Sequence, residues 1–151
     1  MSPEVFNRSI RVRGWVRALT KKLDIPNRWQ YELAAQLSQI GCVTLPQDLL
    51  AKMTSGSQVS VSERALYAGH AKVARDLLSR IPRLETVADI IAYNNEEGAP
   101  GDVPLNERTP EMLGGQLLRI ATDFDQQATQ GGDPERIFGA MAQSPMLYDP
   151  Q

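Results

Sequence analysis

The chain has 151 residues, about one domain at the usual 100–200 residues per domain, and its 42% hydrophobic and 23% charged residues suit a globular protein rather than a disordered one. A single cysteine, Cys42, excludes an internal disulfide and any thiolate-cage metal site, and fits a reducing compartment. A single histidine, His70, excludes every chemistry that needs two imidazoles.

The net charge of −2 hides an asymmetry: residues 1–30 hold seven Lys/Arg against two Asp/Glu, residues 31–84 six against four, and residues 85–149 three against twelve. The basic segment (Arg8, Arg11, Arg13, Arg17, Lys21, Lys22, Arg28) could attract nucleic acid or anionic lipid. The plainer reading, which we adopt, is a solvated helix face complementing the acidic half, with no nucleic acid bound. No run of 18 apolar residues exists to span a membrane. The basic start lacks the apolar stretch of a signal peptide, so a cytoplasmic location is expected.

The periodicity is helical nearly throughout. Ser2-Pro3-Glu4 reads as a helix start, with Ser at the N-cap and Pro at the first helical position. Val5, Val12, Val16, Leu19 and Leu23 follow within about 60° on a wheel of about 100° per residue. Asp24-Ile25-Pro26 breaks that helix and begins another through Leu33, Leu37 and Ile40, with Gly41 expected as its C-cap. Leu45-Pro46 opens a short helix to about Met53. Ser60-Val61-Ser62-Glu63 is a capping box, and starts a long helix with Leu66, Val73, Leu77 and Ile81 on one face, stopped by Pro82. A further helix runs from about Leu84 to Tyr93. Thr109-Pro110-Glu111 caps a helix carrying Leu113, Leu117, Ile120 and Phe124. Gly131-Gly132 ends it, and Asp133-Pro134 caps a last helix to about Gln143. No window alternates as a strand. The expected fold is all-α, a single compact bundle of six to seven helices. Residues 96–108, rich in Gly, Pro and charge, are long enough for a loop that overhangs a pocket.

Four segments resemble the HD superfamily of metal-dependent phosphohydrolases, in its HD-GYP branch, over essentially the whole chain. The strongest runs from Leu33-Ala34-Ala35-Gln36-Leu37-Ser38-Gln39-Ile40-Gly41-Cys42 to Leu50, where the family writes L-A-A-x-L-H-D-I-G-K followed by I-x-I-P-x-x-I-L. Apolar positions, Gly41 and Pro46 agree. The family's His-Asp metal pair falls on Ser38 and Gln39, and its Lys on Cys42. Its upstream His falls on Arg8. His70 matches the His of H-x-x-x-G-x-x-L-L, with Ala74 at the Gly. The His-His-Glu segment falls on Asn94, Asn95 and Glu96. The Gly-Tyr-Pro signature is absent, Gly101-Asp102-Val103-Pro104 being only loosely similar. A metal-binding Asp falls on Thr122, beside Asp123 and Asp125. Tyr148-Asp149-Pro150 resembles the F-D-P that precedes a terminal helix.

The resemblance implies an HD-domain-like fold whose relatives hydrolyse cyclic di-GMP and sit behind receiver domains in bacterial response regulators. Phosphodiester hydrolysis at such a site uses divalent metal to neutralise phosphoryl oxygens and activate water, and that metal needs converging imidazoles and carboxylates. Arg8, Ser38, Gln39, Cys42, Asn94, Asn95 and Thr122 supply a cation, hydroxyls, amides and a thiol instead. His70, Glu96, Asp123 and Asp125 are the remaining candidate ligands.

Each residue also has a plain reading. His70 is a buried, hydrogen-bonded histidine, or else a residual ligand or pH sensor. Arg8, about 20° from the edge of its apolar stripe on the helical wheel, either packs its stem with the head in water or fills the former metal cavity, pairing with Asp123, Asp125 or Glu96. Ser38 reads as a helix residue rather than a nucleophile, having no base nearby. Cys42 reads as a buried thiol rather than a reactive one. Asn94-Asn95 reads as a helix end tolerant of left-handed geometry rather than a reader of nucleotide bases.

The expected function is therefore a catalytically inactive HD-GYP-like signalling domain working by protein contact, without a cofactor. It is expected to be a fragment of a longer protein with an N-terminal receiver domain; a homodimer stays open. The alternatives are a residual phosphodiesterase using Fe, Mn or Mg, and a non-catalytic nucleotide sensor. The helical HDOD signalling domains, which also lack the metal ligands, are a neighbouring classification.

Overall fold

The structure is a computed structural model that describes residues 3–94 and 103–143. Its helices are α1 (Pro3–Lys22), α2 (Arg28–Leu37), α3 (Gln47–Ser55), α4 (Val61–Ala68), α5 (His70–Leu78), α6 (Glu85–Tyr93), α7 (Pro110–Thr129) and α8 (Pro134–Ala142), with 3-10 turns at Ile40–Thr44 and Leu105–Glu107. No strand occurs among the described residues, so the all-α expectation holds.

The capping chemistry reads directly from sequence. Ser60 Oγ accepts from the Glu63 amide at 3.1 Å while Glu63 Oε2 accepts from the Ser60 amide at 2.8 Å, the reciprocal pair of a capping box. Thr109 Oγ1 accepts from the Met112 amide and Asp133 Oδ2 from the Arg136 amide, both at 3.3 Å. Gly56, at φ 72°, closes α3 in the left-handed region.

The central core is built by α1 (Val12, Val16), α2 (Tyr31, Ala34, Ala35), α5 (Ala71, Ala74, Leu78), α6 (Val87, Ala88, Ile90, Ile91) and α7 (Leu117, Leu118, Ala121). Two satellites flank it: Val5, Cys42 and Leu50 under α3, and Phe124, Ile137 and Met141 where α8 lies on α7. Arg13 and Arg17 reach Glu32, at 3.9 and 3.6 Å, and Arg11 reaches Asp125 of the acidic half at 2.8 Å. Part of the basic face is thus spent within the fold.

Four sequence expectations change. The long helix from Ser60 toward Pro82 is interrupted at Gly69 into α4 and α5; the ladder continues through Gly69 N–H to Ala65 O and Val73 N–H to Gly69 O, and counted as one the pair leaves seven helices among the described residues. Its buried face is also rotated by roughly a quarter turn at about 100° per residue. Ala71, Ala74 and Leu78 are buried, whereas Leu66, Leu77 and Ile81 are about half exposed. Leu23 likewise falls beyond α1 and is 41% exposed, because the chain turns away at Asp24, φ 51°.

The fourth change explains the second. Gly41 is not a C-cap: α2 ends at Leu37, with Ser38 at the cap position, and Gly41 lies in the 3-10 turn that crosses α5. A Cβ there would sit 1.8 Å from the His70 carbonyl oxygen. The crossing is so close that α5 meets this turn with small residues. The helix turns Ala71, Ala74 and Leu78 inward and leaves Leu77 about half exposed.

Candidate functional site

His70, which Gly41 crosses closely, lines a cavity of about 220 Å³. α1 contributes Arg8, the link after α2 Gln39, α4 and α5 Tyr67 and His70, the end of α6 Asn94, and α7 Arg119, Thr122, Asp123 and Gln126. Six positions singled out from sequence therefore meet at one place: Arg8, Gln39, His70, Asn94, Thr122 and Asp123. A larger hollow of about 550 Å³ near Leu23, Ile25, Tyr31, Pro104 and Leu113 contains none of the candidate site residues.

Arg8 is the unusual member. It is 5% exposed, and among the described residues its one hydrogen bond is a long one, Nη1 to Tyr67 Oη at 3.4 Å; its Nε is buried with no partner. The head is thus in the cavity rather than in water, but of the three acids anticipated as partners it pairs with neither Asp123 nor Asp125, and Glu96 lies outside the described residues. Asp125, 2% exposed, instead accepts a two-pronged bond from Arg11, Nε to Oδ1 at 2.8 Å and Nη2 to Oδ2 at 3.0 Å. The pairing raises the Arg11 pKa, its hydrogen bond to Asp125 being the main cause. Residues two apart on a helix point about 200° apart at 3.6 residues per turn, so Asp123 and Asp125 of α7 cannot both face the cavity.

Around Arg8 runs a thin polar network. Tyr67 Oη and Cys42 Sγ each donate to Gln39 Oε1 at 3.4 Å. Burial raises the Tyr67 pKa, opposed by the Arg8 charge. His70 lies under the Tyr67 ring, centroids 4.6 Å apart, and its Nδ1 donates to the Tyr67 carbonyl. A carbonyl only accepts, so the proton sits on Nδ1 and Nε2 is left as the free acceptor of the neutral ring.

Burial lowers the His70 pKa below its ordinary 6.5; the bond to Tyr67 opposes this, and the Arg8 charge adds to it. The unfolded chain therefore binds a proton at this ring at a pH where the folded chain does not, and stability falls as pH drops below about 6.5. The slope from this one ring is at most about 1.4 kcal/mol per pH unit. Denaturation midpoints measured between neutral and mildly acidic pH should show a loss that His70→Gln removes.

The remaining sequence candidates divide cleanly. Ser38, buried, donates from Oγ to the Ala35 carbonyl at 2.8 Å and does not line the cavity. Thr122 lines it with its hydroxyl bonded back to Leu118 O at 2.7 Å. Asn94 ends α6 as expected, but in right-handed geometry at φ −55°, and its Oδ1 is buried without a partner. Asn95, Glu96, the 96–102 part of the expected loop and Tyr148-Asp149-Pro150 lie outside the described residues. Tyr67, Arg119 and Gln126 were missed by sequence reasoning. The one signal was spacing, since Arg119, Thr122, Asp123 and Gln126 recur at three and four along α7.

Cys42 is 1% exposed, and burial pushes its thiol up to about 12 against the opposing Arg8 charge. The thiolate is the nucleophile, so native protein should resist alkylation at mildly alkaline pH and react quickly once denatured. Rapid modification of the native form, followed by mass spectrometry, would contradict this burial.

The described donors do not fit a divalent metal centre. Among the described residues the cavity offers one imidazole and one carboxylate, beside amides, hydroxyls and two guanidiniums. No group of three or more His, Cys, Asp and Glu side chains comes together among the described residues. A divalent ion needs several such ligands at one point, and the Arg8 cation stands among them.

No helix among the described residues is long and apolar enough to cross a membrane. No curated protein and no solved structure matches the chain significantly. A profile of the HD domain family matches residues 1–143. With its helical bundle and its cavity between α1, α5 and α7, the chain belongs to the HD domain family.

Proposed function

We propose that this chain is a catalytically inactive, HD-GYP-like signalling domain that acts by protein contact in a bacterial two-component or cyclic di-GMP circuit. The observation that carries the reading is the buried Arg8 guanidinium, 5% exposed, in the same cavity wall as His70. It stands where the family pattern has a metal-binding imidazole. The electrostatics favour this: a fixed cation raises the free energy of a divalent ion beside it, and in a low-dielectric site the penalty is several times that in water. The residual-phosphodiesterase reading needs His70, Glu96, Asp123 and Asp125 together. The bond between Asp125 and Arg11 takes one of the four away.

The reading extends to a receiver domain ahead of α1 as covalent partner. α1 places Arg8 in the cavity and Arg11 on α7, so a shift of this helix would be felt at both. The test is metal content and turnover together. Protein purified without chelator should carry metal well below stoichiometric amounts and leave cyclic di-GMP intact with added Mn, Fe or Mg. Stoichiometric Fe or Mn, with turnover abolished by His70→Ala, would establish the hydrolase instead.

A further inference from the structure

We propose that the cavity is an oxyanion site, built to hold one phosphate-sized group directly on Arg8 with no metal between them. An arginine nine-tenths buried is normally neutralised by a carboxylate, because an unpaired buried charge costs several kcal/mol. Arg8 is buried beyond that level, makes no ion pair among the described residues, and has Nε without any partner. Arg8 shares the cavity wall with a second guanidinium, Arg119, and one carboxylate, Asp123. An anion entering here supplies Arg8 with a counter-charge that the described residues do not give it.

The donor chemistry suits phosphate. A guanidinium offers a planar fork that matches two phosphate oxygens. Asn94, whose Oδ1 has no partner, can turn its NH2 to a third oxygen. The Tyr67 hydroxyl already lies against Arg8. Size narrows the ligand: about 220 Å³ is below the roughly 300–1,000 Å³ of pockets that enclose drug-sized molecules. One phosphate group fits inside, and a cyclic dinucleotide does not. The Asp123 carboxylate in the wall opposes the anion, so the expected affinity is modest, with Kd about 1 mM.

The inference rests on the inactive reading in one respect: a resident divalent ion would take the oxyanion in place of Arg8. Because His70 is the chain's single histidine and lines the cavity, its ring proton signals report from inside the site without assignment. Chelator-treated protein is titrated, at ionic strength held constant with chloride, with inorganic phosphate, with AMP and with cyclic di-GMP. A saturable shift of the His70 signals with phosphate is expected, weakened at least about tenfold in Arg8→Met.

AMP binding at least about tenfold tighter than phosphate assigns the site to a phosphate monoester, and AMP binding no tighter assigns it to the free oxyanion. The proposal is overturned by no shift at about 10 mM phosphate, tenfold above the expected Kd. It is equally overturned by the same shift in folded Arg8→Met, by a response that requires added Mn, or by a response to cyclic di-GMP alone. If Arg8→Met does not fold, the wild-type titration decides. Stoichiometric metal as isolated, with a phosphate shift that survives chelation, would sink the inactive reading and leave the anion site standing.

Discussion

Gly41→Ala is expected to destabilise the fold by about 3 kcal/mol, the upper end for overpacking. The added Cβ would lie 1.8 Å from the His70 carbonyl oxygen, 2.7 Å from its carbon and 3.1 Å from its Cα. Those atoms are backbone at the start of α5, and no side-chain rotation relieves them. Relief requires the 3-10 turn and α5 to move apart, which also displaces His70 and Gln39 from the cavity. Gly14→Ala supplies the contrast, since its Cβ meets nothing within 4 Å on the exposed side of α1. That change should stabilise by about 0.5–1 kcal/mol through helix propensity alone. Urea midpoints of the two variants, moving in opposite directions, check the pair; a neutral Gly41→Ala would refute the close crossing.

Ile90→Ala should cost about 4 kcal/mol, within the range for emptying a fully buried site. Ile90 is 0% exposed on α6 and fills the space above Gly114 of α7, where an added Cβ would meet three of its atoms at 2.8–2.9 Å. Glycine has no side chain with which to fill the void, so collapse is poor and the cost falls high in the range. The α6–α7 contact also holds Asn94 opposite Thr122 and Asp123, so the variant should weaken phosphate binding as well as folding. Leu66→Ala, at a residue 52% exposed, should cost well under half as much. Equal losses at the two positions, measured by chemical denaturation, would mean that the buried face of the α4–α5 rod is the one its leucines suggest.

Those leucines mark the limit of pattern reading. Leu66, Val73, Leu77 and Ile81 share a face because about 100° per residue makes them share one, but periodicity does not say which neighbour a face meets. The neighbour is the 3-10 turn at Gly41, some thirty residues upstream, and its close approach goes with a buried α5 face of His70, Ala71, Ala74 and Leu78. Arg8 followed the same logic. Its place beside the apolar stripe allowed a head in water or in the cavity, and packing against Tyr67, 59 residues away, put it inside. Asp125 was grouped with Asp123 as a candidate ligand, and the helix sent them opposite ways.

What the sequence determined by itself is the chemistry that acts over a few residues: the all-α class, the capped helix starts at Ser60, Thr109 and Asp133, and a shortage of imidazoles that no folding could repair. The tertiary structure decided which side of α5 is covered, that Arg8 lies buried without a carboxylate among the described residues, and that Tyr67, Arg119 and Gln126 join the cavity. The division has one physical cause. Caps and helical faces arise from bonds within a turn or two of chain, whereas burial and charge pairing depend on atoms that meet only after distant helices have packed.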